Sequence, residues 1–230
     1  MSHGEAGRRV DRLDARVRVH GSKPSLVVVG HGMVGQRLLE SLVNLGLSRK
    51  FEIAVLGDEP RGAYDRVALS SLFDGMSPDD LSLVKGGFLD EAGIRAYVGE
   101  RVVELNRGTK TITSETGRVL SYDKAILATG SRPFVPPLPG RDLKGCFVYR
   151  TIDDVAAIRS WAAGARVGAV IGGGLLGLEA AKALRSLGLE THVLERAPRL
   201  MPVQVDDGGG LALRRRVEEL GVFVHTAVES

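Results

Sequence analysis

The sequence contains very little cysteine, since Cys146 is the only one in 230 residues. A single thiol excludes an internal disulfide, a redox-active cysteine pair and a four-thiolate iron–sulfur cluster within this chain. Because it has no partner for disulfide exchange, Cys146 is interpreted as a packed thiol. Thiol–disulfide chemistry inside the chain is therefore excluded.

Aromatic residues, net charge and long apolar runs are also scarce. Aromatic residues make up 5% of the chain and the net charge is +3, whereas a nucleic-acid-binding face combines clustered basic residues with aromatic ones. No stretch approaches the about 18 apolar residues of a membrane span, and residues 1–24 lack the apolar core of a signal peptide. The sequence predicts a cytoplasmic protein with a disordered, charged tail over residues 1–24, without nucleic-acid or membrane partners.

The sequence does contain a glycine-rich turn in VVVGHGMVGQRLLESL, Val27–Leu42. An apolar run ends at Gly30, two further glycines follow at Gly32 and Gly35, and apolar residues then recur at helical spacing. In a dinucleotide site the first glycine allows a tight turn, the second admits the pyrophosphate, and the third packs helix against strand. The pyrophosphate then lies on amides at the helix N-terminus. His31, inside this turn, is interpreted as exposed.

A second copy of the pattern follows in AVIGGGLLGLEAAKAL, with its glycines at Gly172, Gly174 and Gly177. In both copies an acid ends the next predicted strand about 20 residues after the third glycine, namely Asp58 and Glu195. An acid there accepts hydrogen bonds from ribose hydroxyls. One copy alone could be a structural turn, but two complete copies predict two dinucleotide sites.

These patterns predict an α/β protein with two Rossmann-like dinucleotide-binding domains. The first domain is assigned to residues 25–140 and the second to residues 141–230. The boundary follows SRPFVPPLPG, Ser131–Gly140, which is rich in proline and typical of a linker. The second domain is expected to be incomplete, because a doubly wound domain normally has more strands than its sequence predicts.

Two further segments make the sequence resemble the flavoprotein reductases in which an NAD(P)-binding domain is inserted into an FAD-binding domain. ATG at Ala128–Gly130 resembles the strand-end motif that packs beside the flavin nucleotide in that superfamily. EPRGAYDRVALSS, Glu59–Ser71, resembles its YDRxxLSK segment, whose lysine contacts the flavin. Ser71 stands at the lysine position, which departs from the pattern of the ferredoxin and rubredoxin reductases.

The sequence is similar to the large subunits of NAD(P)H-dependent assimilatory nitrite reductases. The similar segments are DLSLV at Asp80–Val84, CFVYRTIDD at Cys146–Asp154, and GGGLLGLEAAKALRSLGLETHVLE at Gly172–Glu195. The resemblance covers the N-terminal, flavin-bearing part of that family and implies FAD and NAD(P)H as cofactors. NADH is expected to be preferred, because Glu195 should accept a hydrogen bond from the ribose 2′-hydroxyl and repel a 2′-phosphate. The resemblance also implies an electron-accepting partner, which is either the C-terminal region of the nitrite reductase or its small subunit. A homodimer is compatible with the resemblance. An iron–sulfur cluster and sirohaem are expected only in the C-terminal part.

The cofactor contacts follow from the two turns and from the resemblance. In the first domain they are Gly30, Gly32, Met33, Val34, Gly35, Asp58, Glu59, Arg66, Ser71, Val102, Ala128, Thr129 and Gly130. In the second domain they are Gly172, Gly174, Leu175, Leu176, Gly177, Glu179, Glu195 and Arg196. Glu179 is either a helix-start acid, stabilised by about 0.3–1 kcal/mol, or a group near nicotinamide and flavin. No catalytic acid, base or metal ligand is assigned, because hydride transfer is cofactor chemistry.

Two alternatives remain open. One is a stand-alone NADH-dependent reductase of the ferredoxin or rubredoxin type, which a lysine at position 71 would favour. The other is a non-catalytic, nucleotide-binding redox sensor. His192 and His225, on predicted strands, are interpreted as core or surface residues rather than ligands.

Overall fold

The computed structural model describes residues Lys23 to Val228. The predicted disordered tail, residues 1–24, lies outside these residues except for its last two. The described chain divides into two compact units. The first runs to Tyr64 and resumes with Leu83–Gly130, and the second combines Asp65–Ser82 with the residues from Ser131 onward. The sequence places the boundary at residue 140 and assigns 65–82 to the first domain, whereas packing groups this segment with the second unit.

The first unit contains two sheets. Its elements are β1 (Ser25–Val29), α1 (Met33–Asn44), β2 (Glu52–Leu56), α2 (Phe88–Glu91), β3 (Arg95–Tyr97), β4 (Val102–Asn106), β5 (Thr111–Ser114), β6 (Val119–Ser121) and β7 (Lys124–Leu127). A parallel sheet has the order β3-β2-β1-β7, and an antiparallel sheet has the order β4-β5-β6. β1 therefore lies in the middle of the parallel sheet.

Apolar runs form β1 and β2 because both faces of the parallel sheet are covered. Val28 and Val55 are fully buried on one face, in a cluster with Leu39 of α1. Val27 is buried on the other face, in a cluster with Ile112 of the antiparallel sheet. Packing on both faces of the sheet fixes the carboxyl end of β1 and therefore the position of the first glycine turn.

The second unit is built on one parallel sheet. Its elements are α3 (Ile152–Ala162), β8 (Val167–Ile171), α4 (Leu175–Ser186), β9 (Glu190–Glu195), α5 (Asp207–Glu219) and β10 (Val222–Thr226), with short 3₁₀ helices at Leu69–Leu72 and Pro78–Leu81. The strand order is β10-β9-β8. Val193 and Leu200 are fully buried at its core. The predicted α/β class is confirmed, and the repeated strand–turn–helix–strand unit occurs once in each compact unit.

The sequence did not predict α3. A capping box starts this helix, since the Asp154 amide donates to the Thr151 hydroxyl at 3.1 Å and the Thr151 amide donates to the Asp154 carboxylate at 2.8 Å. In the part of the chain that the structure describes, no helix combines the length and hydrophobicity needed to cross a membrane.

Candidate functional site: two glycine turns

The first glycine turn joins β1 to α1. Gly30 has a φ of +111°, and a β-carbon there would fall on the carbonyl group of Ala128, directly after β7. A β-carbon at Gly35 would fall on the carbonyl oxygen of Gly30. The Gly30 amide donates to the Leu56 carbonyl oxygen at 2.8 Å. Contacts within the protein therefore require glycine at two of the three positions.

The second turn joins β8 to α4 with the same local geometry. Gly172 has a φ of +109°, and its amide donates to the Leu194 carbonyl oxygen at 2.8 Å. A β-carbon at Gly177 would fall on the carbonyl oxygen of Gly172. In contrast with Gly30, a β-carbon at Gly172 would have no described atom within 4 Å. In the described sheet β8 is an edge strand, so no strand end approaches Gly172 as β7 approaches Gly30.

The middle glycine of each turn is open. A β-carbon at Gly32 or Gly174 would have no atom of the described chain within 4 Å. Each residue is the N-cap of the following helix, and no side chain between residues 23 and 228 caps either helix. The first amides of α1 and α4 are therefore unsatisfied by side chains. Such a surface fits a pyrophosphate, and a side chain at either glycine would occupy the same space.

The residues after the middle glycines lie at these helix starts. Met33 begins α1 and is partly buried, while Val34, Leu175 and Leu176 are exposed. Their backbone amides belong to the first turns of the two helices, as the sequence predicts.

Acids lie beside both turns. β2 pairs with β1 and is followed by Asp58, whose side chain is exposed, and by Glu59, whose carboxylate accepts a hydrogen bond from the Tyr64 hydroxyl at 2.8 Å. β9 pairs with β8 and ends at Glu195. In both units an acid thus lies at or just after the end of the strand that pairs with the one before the glycine turn.

The Glu195 carboxylate is held by two backbone amides. It accepts hydrogen bonds from the Gly173 amide at 2.7 Å and the Ala197 amide at 2.6 Å. A β-carbon at Gly173 would approach within 3.1 Å of the Glu195 β-carbon, so the turn and the acid are packed together. Arg196 is exposed beside them. Backbone contacts therefore hold Glu195 at the second turn.

A family model described as pyridine nucleotide-disulphide oxidoreductase matches residues 24–229. The chain belongs to this family. Membership makes it an oxidoreductase chain, although its single cysteine cannot form the disulphide of the family's name.

Curated relatives and solved structures agree with this membership. The NADH nitrite reductase large subunit of Escherichia coli (strain K12) is 53% identical over 206 residues, which cover 90% of this chain and 24% of that protein. The assimilatory nitrate reductase electron transfer subunit of Bacillus subtilis (strain 168) is 39% identical, over 87% of this chain and 26% of that protein. A solved ferredoxin reductase from Rhodopseudomonas palustris has a TM-score of 0.80 at 27% identity, over 90% of this chain and 51% of that one.

The similarity to nitrite reductase large subunits that the sequence motifs predict is confirmed. The chain spans about a quarter of the length of these two curated relatives.

In this pyridine nucleotide-disulphide oxidoreductase chain, Arg66 and Ser71 lie in the second unit. The Arg66 guanidinium donates to the Arg150 carbonyl oxygen at 3.3 Å. The Ser71 hydroxyl donates to the Ala68 carbonyl oxygen at 2.6 Å and so belongs to a local turn. Their predicted contact with the flavin stays a prediction.

The remaining predicted contacts belong to the first unit. Ala128 directly follows β7, its amide donates to the Val29 carbonyl oxygen at 2.7 Å, and it lies against the first glycine turn. Thr129 and Gly130 are exposed after it, and Val102 is partly buried at the start of β4. The structure therefore brings the strand-end motif ATG and the first glycine turn together.

The sequence patterns predict no role for Tyr149. Its hydroxyl is buried and makes no hydrogen bond of ordinary geometry within residues 23–228, and its ring lies 5.9 Å from that of Phe73. Burial and then the negative charge of Glu179 raise the pKa of Tyr149 to about 12, against a lowering by the Ser70 hydroxyl. Tyr149 therefore remains a neutral proton donor near Glu179. The interpretation of Glu179 as a helix-start acid is wrong, because α4 begins at Leu175 and Glu179 lies in its second turn.

Two interpretations of single residues are wrong. Cys146 is exposed and lies in the irregular segment between β7 and α3. His31 is buried, with 7% of its surface exposed, because glycines at positions 57 and 62 leave room for its side chain.

Proposed function

We propose that this chain is the flavin- and pyridine nucleotide-binding part of an NAD(P)H-dependent nitrite reductase, with FAD on the first glycine turn and NAD(P)H on the second. The observation that carries the proposal is the repeated turn, with an open middle glycine at an uncapped helix start and an acid beside it in each unit. The 53% identity with the NADH nitrite reductase large subunit of Escherichia coli supports the assignment to nitrite reduction.

The first turn would hold FAD. The pyrophosphate would lie on the amides of Gly32, Met33 and Val34, where the helix dipole favours negative charge. Asp58 or Glu59 would accept hydrogen bonds from the ribose. Val102 and the segment Ala128–Gly130 would lie beside the flavin nucleotide, as the family resemblance implies.

The second turn would hold NAD(P)H. Its pyrophosphate would lie on the amides of Gly174, Leu175 and Leu176. Glu195 would accept hydrogen bonds from the ribose 2′-hydroxyl and repel a 2′-phosphate, so NADH is the preferred donor. Arg196 opposes this preference, because a guanidinium suits phosphate.

The chain's own residues bind and orient the two cofactors. When bound, the cofactors supply hydride and electron transfer. Glu179 would provide a carboxylate near the second turn, and the neutral Tyr149 hydroxyl would provide a proton donor there. We assign no residue as a catalytic acid or base.

The electrons would leave for a partner that carries an iron–sulfur cluster and sirohaem. A cubane cluster needs about four thiolate ligands, and this chain has one cysteine. The acceptor would be the C-terminal region of the same protein or a small subunit. Homodimerisation and a cytoplasmic location complete the proposal.

The test uses the full-length protein, purified with its cofactors and kept free of oxygen. NADH should bleach the flavin absorbance, and nitrite should then restore it. Reoxidation by ferredoxin or rubredoxin but not by nitrite would favour the stand-alone reductase. Nucleotide binding without any bleaching would favour the redox sensor.

A further inference from the structure

His31 is a buried histidine inside the first glycine turn, between the two glycines that begin it. Only 7% of its surface is exposed, although both neighbouring positions belong to the surface on which we place FAD. Its Nε2 atom lies 3.2 Å from the Oε1 atom of Gln36, which is itself 2% exposed. Its Nδ1 atom is buried and has no hydrogen-bond partner within the described chain. The function proposed above gives this side chain no role.

The hydrogen bonds along α1 determine which imidazole nitrogen carries the proton. The Arg37 guanidinium donates to Glu40 at 3.0 Å, and its hydrogen bond, followed by that of Gln36, lowers the pKa of Glu40. An ionised Glu40 only accepts hydrogen bonds, so Gln36 must present its amino group to it, at 3.3 Å. The Gln36 carbonyl oxygen then faces His31. The proton of a neutral His31 therefore lies on Nε2, and Nδ1 is a bare acceptor.

The imidazole also packs against the end of β2 and the loop that follows. A β-carbon at Gly57 would lie 3.0 Å from the β-carbon of His31. A β-carbon at Gly62 would lie 3.6 Å from its Cε1 atom. Gly57 directly precedes Asp58, the acid predicted to bind the ribose. The His31 side chain therefore links the glycine turn to the backbone next to Asp58.

Burial favours the neutral form of this imidazole. Desolvation lowers the pKa of His31 below its ordinary value of 6.5, and the hydrogen bond to Gln36 offsets only part of this. The charged groups on the elements around it are Arg37 and Glu40 on α1, Asp58 and Glu59 after β2, Arg61 beside Gly62, and Lys85 beside Val84. None of them hydrogen-bonds to the imidazole.

We propose that His31 is a positioning residue of the first dinucleotide site, which as a neutral imidazole joins the glycine turn to α1 through Gln36 and to the end of β2 through Gly57. The inference rests on the proposed binding of FAD at this turn. A second proton would place an N–H group at Nδ1, where residues 23–228 offer no acceptor, and would loosen both contacts. The affinity for FAD should therefore fall when the protein is acidified.

The direction in which the affinity for FAD changes with pH follows from the linkage between proton binding and FAD binding. Since burial lowers the pKa of His31, its contribution is fully present above about pH 6.5 and is lost as the pH falls toward the lowered pKa. If one proton is linked to release, the slope of log Kd for FAD against pH approaches about −1 below that pKa. An imidazolium that bound the pyrophosphate directly would give a slope of the opposite sign.

The experiment measures the Kd for FAD of the full-length protein between about pH 8 and about pH 5, in the wild type and in His31→Asn. We expect Kd to rise in the wild type on acidification and to change little with pH in His31→Asn. The matched control is His225→Asn, an exposed histidine of the second unit, which should keep the wild-type slope. NADH binding, measured in parallel, reports whether each variant is folded.

Gly57→Ala provides a second test, in which the residue at position 31 is still histidine. The three heavy atoms nearest to the alanine methyl group all belong to His31, the closest at 3.0 Å, so Kd for FAD should rise at every pH. A wild type without a pH slope, an unchanged slope in His31→Asn, or an unchanged Kd in Gly57→Ala would each overturn the proposal. Retention of FAD by Gly32→Val would instead overturn the placement of FAD, so the two failures are distinguishable.

Discussion

A β-carbon at Gly32 or Gly174 would have no atom of the described chain within 4 Å, and it would occupy the space in which we propose that a pyrophosphate binds. Their φ values of −96° and −81° are accessible to any residue, so valine should leave the fold intact at either position. We expect Gly32→Val to lose FAD and keep NADH binding. We expect Gly174→Val to do the reverse.

Flavin absorbance per protein and NADH titration of the full-length protein measure these two effects. Gly35→Ala and Gly177→Ala are the contrasting variants, because their methyl groups would meet backbone carbonyls and destabilise the fold itself. Normal FAD content in Gly32→Val, or loss of both cofactors in Gly174→Val, would contradict the assignment of one cofactor to each turn.

Glu195 should decide the choice between NADH and NADPH. Hydrogen bonds to a charged group contribute about 1.5–3 kcal/mol, so Glu195→Gln should lower the ratio of kcat/KM for NADH to that for NADPH by roughly tenfold or more. Arg196→Ala should act in the other direction, by weakening NADPH.

A glutamine at position 195 can still accept from only one of the two amides, Gly173 or Ala197, that the carboxylate accepts from. Thermal unfolding of Glu195→Gln must therefore be measured beside the kinetics. A wild type that prefers NADPH would show that the predicted role of Glu195 is wrong.

At the scale of an element, the antiparallel sheet β4-β5-β6 depends on a buried carboxylate at its edge. The Glu100 carboxylate accepts hydrogen bonds from the Thr116 hydroxyl at 2.6 Å and the Arg118 guanidinium at 2.9 Å. The hydrogen bond from Ser114, then those from Thr116 and Arg118, lower the pKa of Glu100 from 4.5 to about 2. The ionised form of Glu100 therefore stabilises this sheet.

This pKa shift predicts a specific loss of stability in acid. A lowered carboxyl pKa contributes stability that is present above pH 4.5 and is lost as the pH falls toward about 2. Glu100→Gln should therefore lower the urea midpoint near neutral pH and approach the wild type in acid. Glu104→Gln, at an exposed position on β4, is the matched control. A constant difference between Glu100→Gln and wild type across this pH range would contradict the prediction.

Some helices and strands can be predicted from the sequence, and others cannot. The apolar run before each glycine turn and the helical spacing after it predict β1, α1, β8 and α4, and the structure contains all four. α3 was missed because only three of its residues, Ile152, Val155 and Ala162, are buried, so its apolar face is weak. The sequence predicts a helix over Leu211–Leu220, whereas α5 begins at Asp207. Gly208–Gly210 disfavour a helix, but the Asp206 side chain caps it by accepting a hydrogen bond from the Gly209 amide at 2.8 Å.

For the whole molecule, the sequence predicted those site features that depend on backbone alone. Both glycine turns could be recognised because their roles follow from residue type and spacing. The burial of His31 could not, since it depends on glycines at positions 57 and 62 that are distant in sequence. The neutral phenol of Tyr149 near Glu179 likewise arises from packing between separate segments. Tertiary contacts of this kind leave no periodic signal in the sequence.

The last prediction concerns what the 230-residue chain can do without a partner. Reduction of nitrite requires electrons at a metal centre, and one cysteine cannot supply the about four thiolates of a cubane cluster. We therefore expect the full-length protein to consume nitrite with NADH, and the 230-residue chain to consume none. The measurement is nitrite loss under anaerobic conditions with both proteins at equal concentration. Addition of FAD to the 230-residue chain controls for loss of the flavin, and nitrite turnover by that chain would contradict the proposed transfer of electrons to a separate metal-bearing partner.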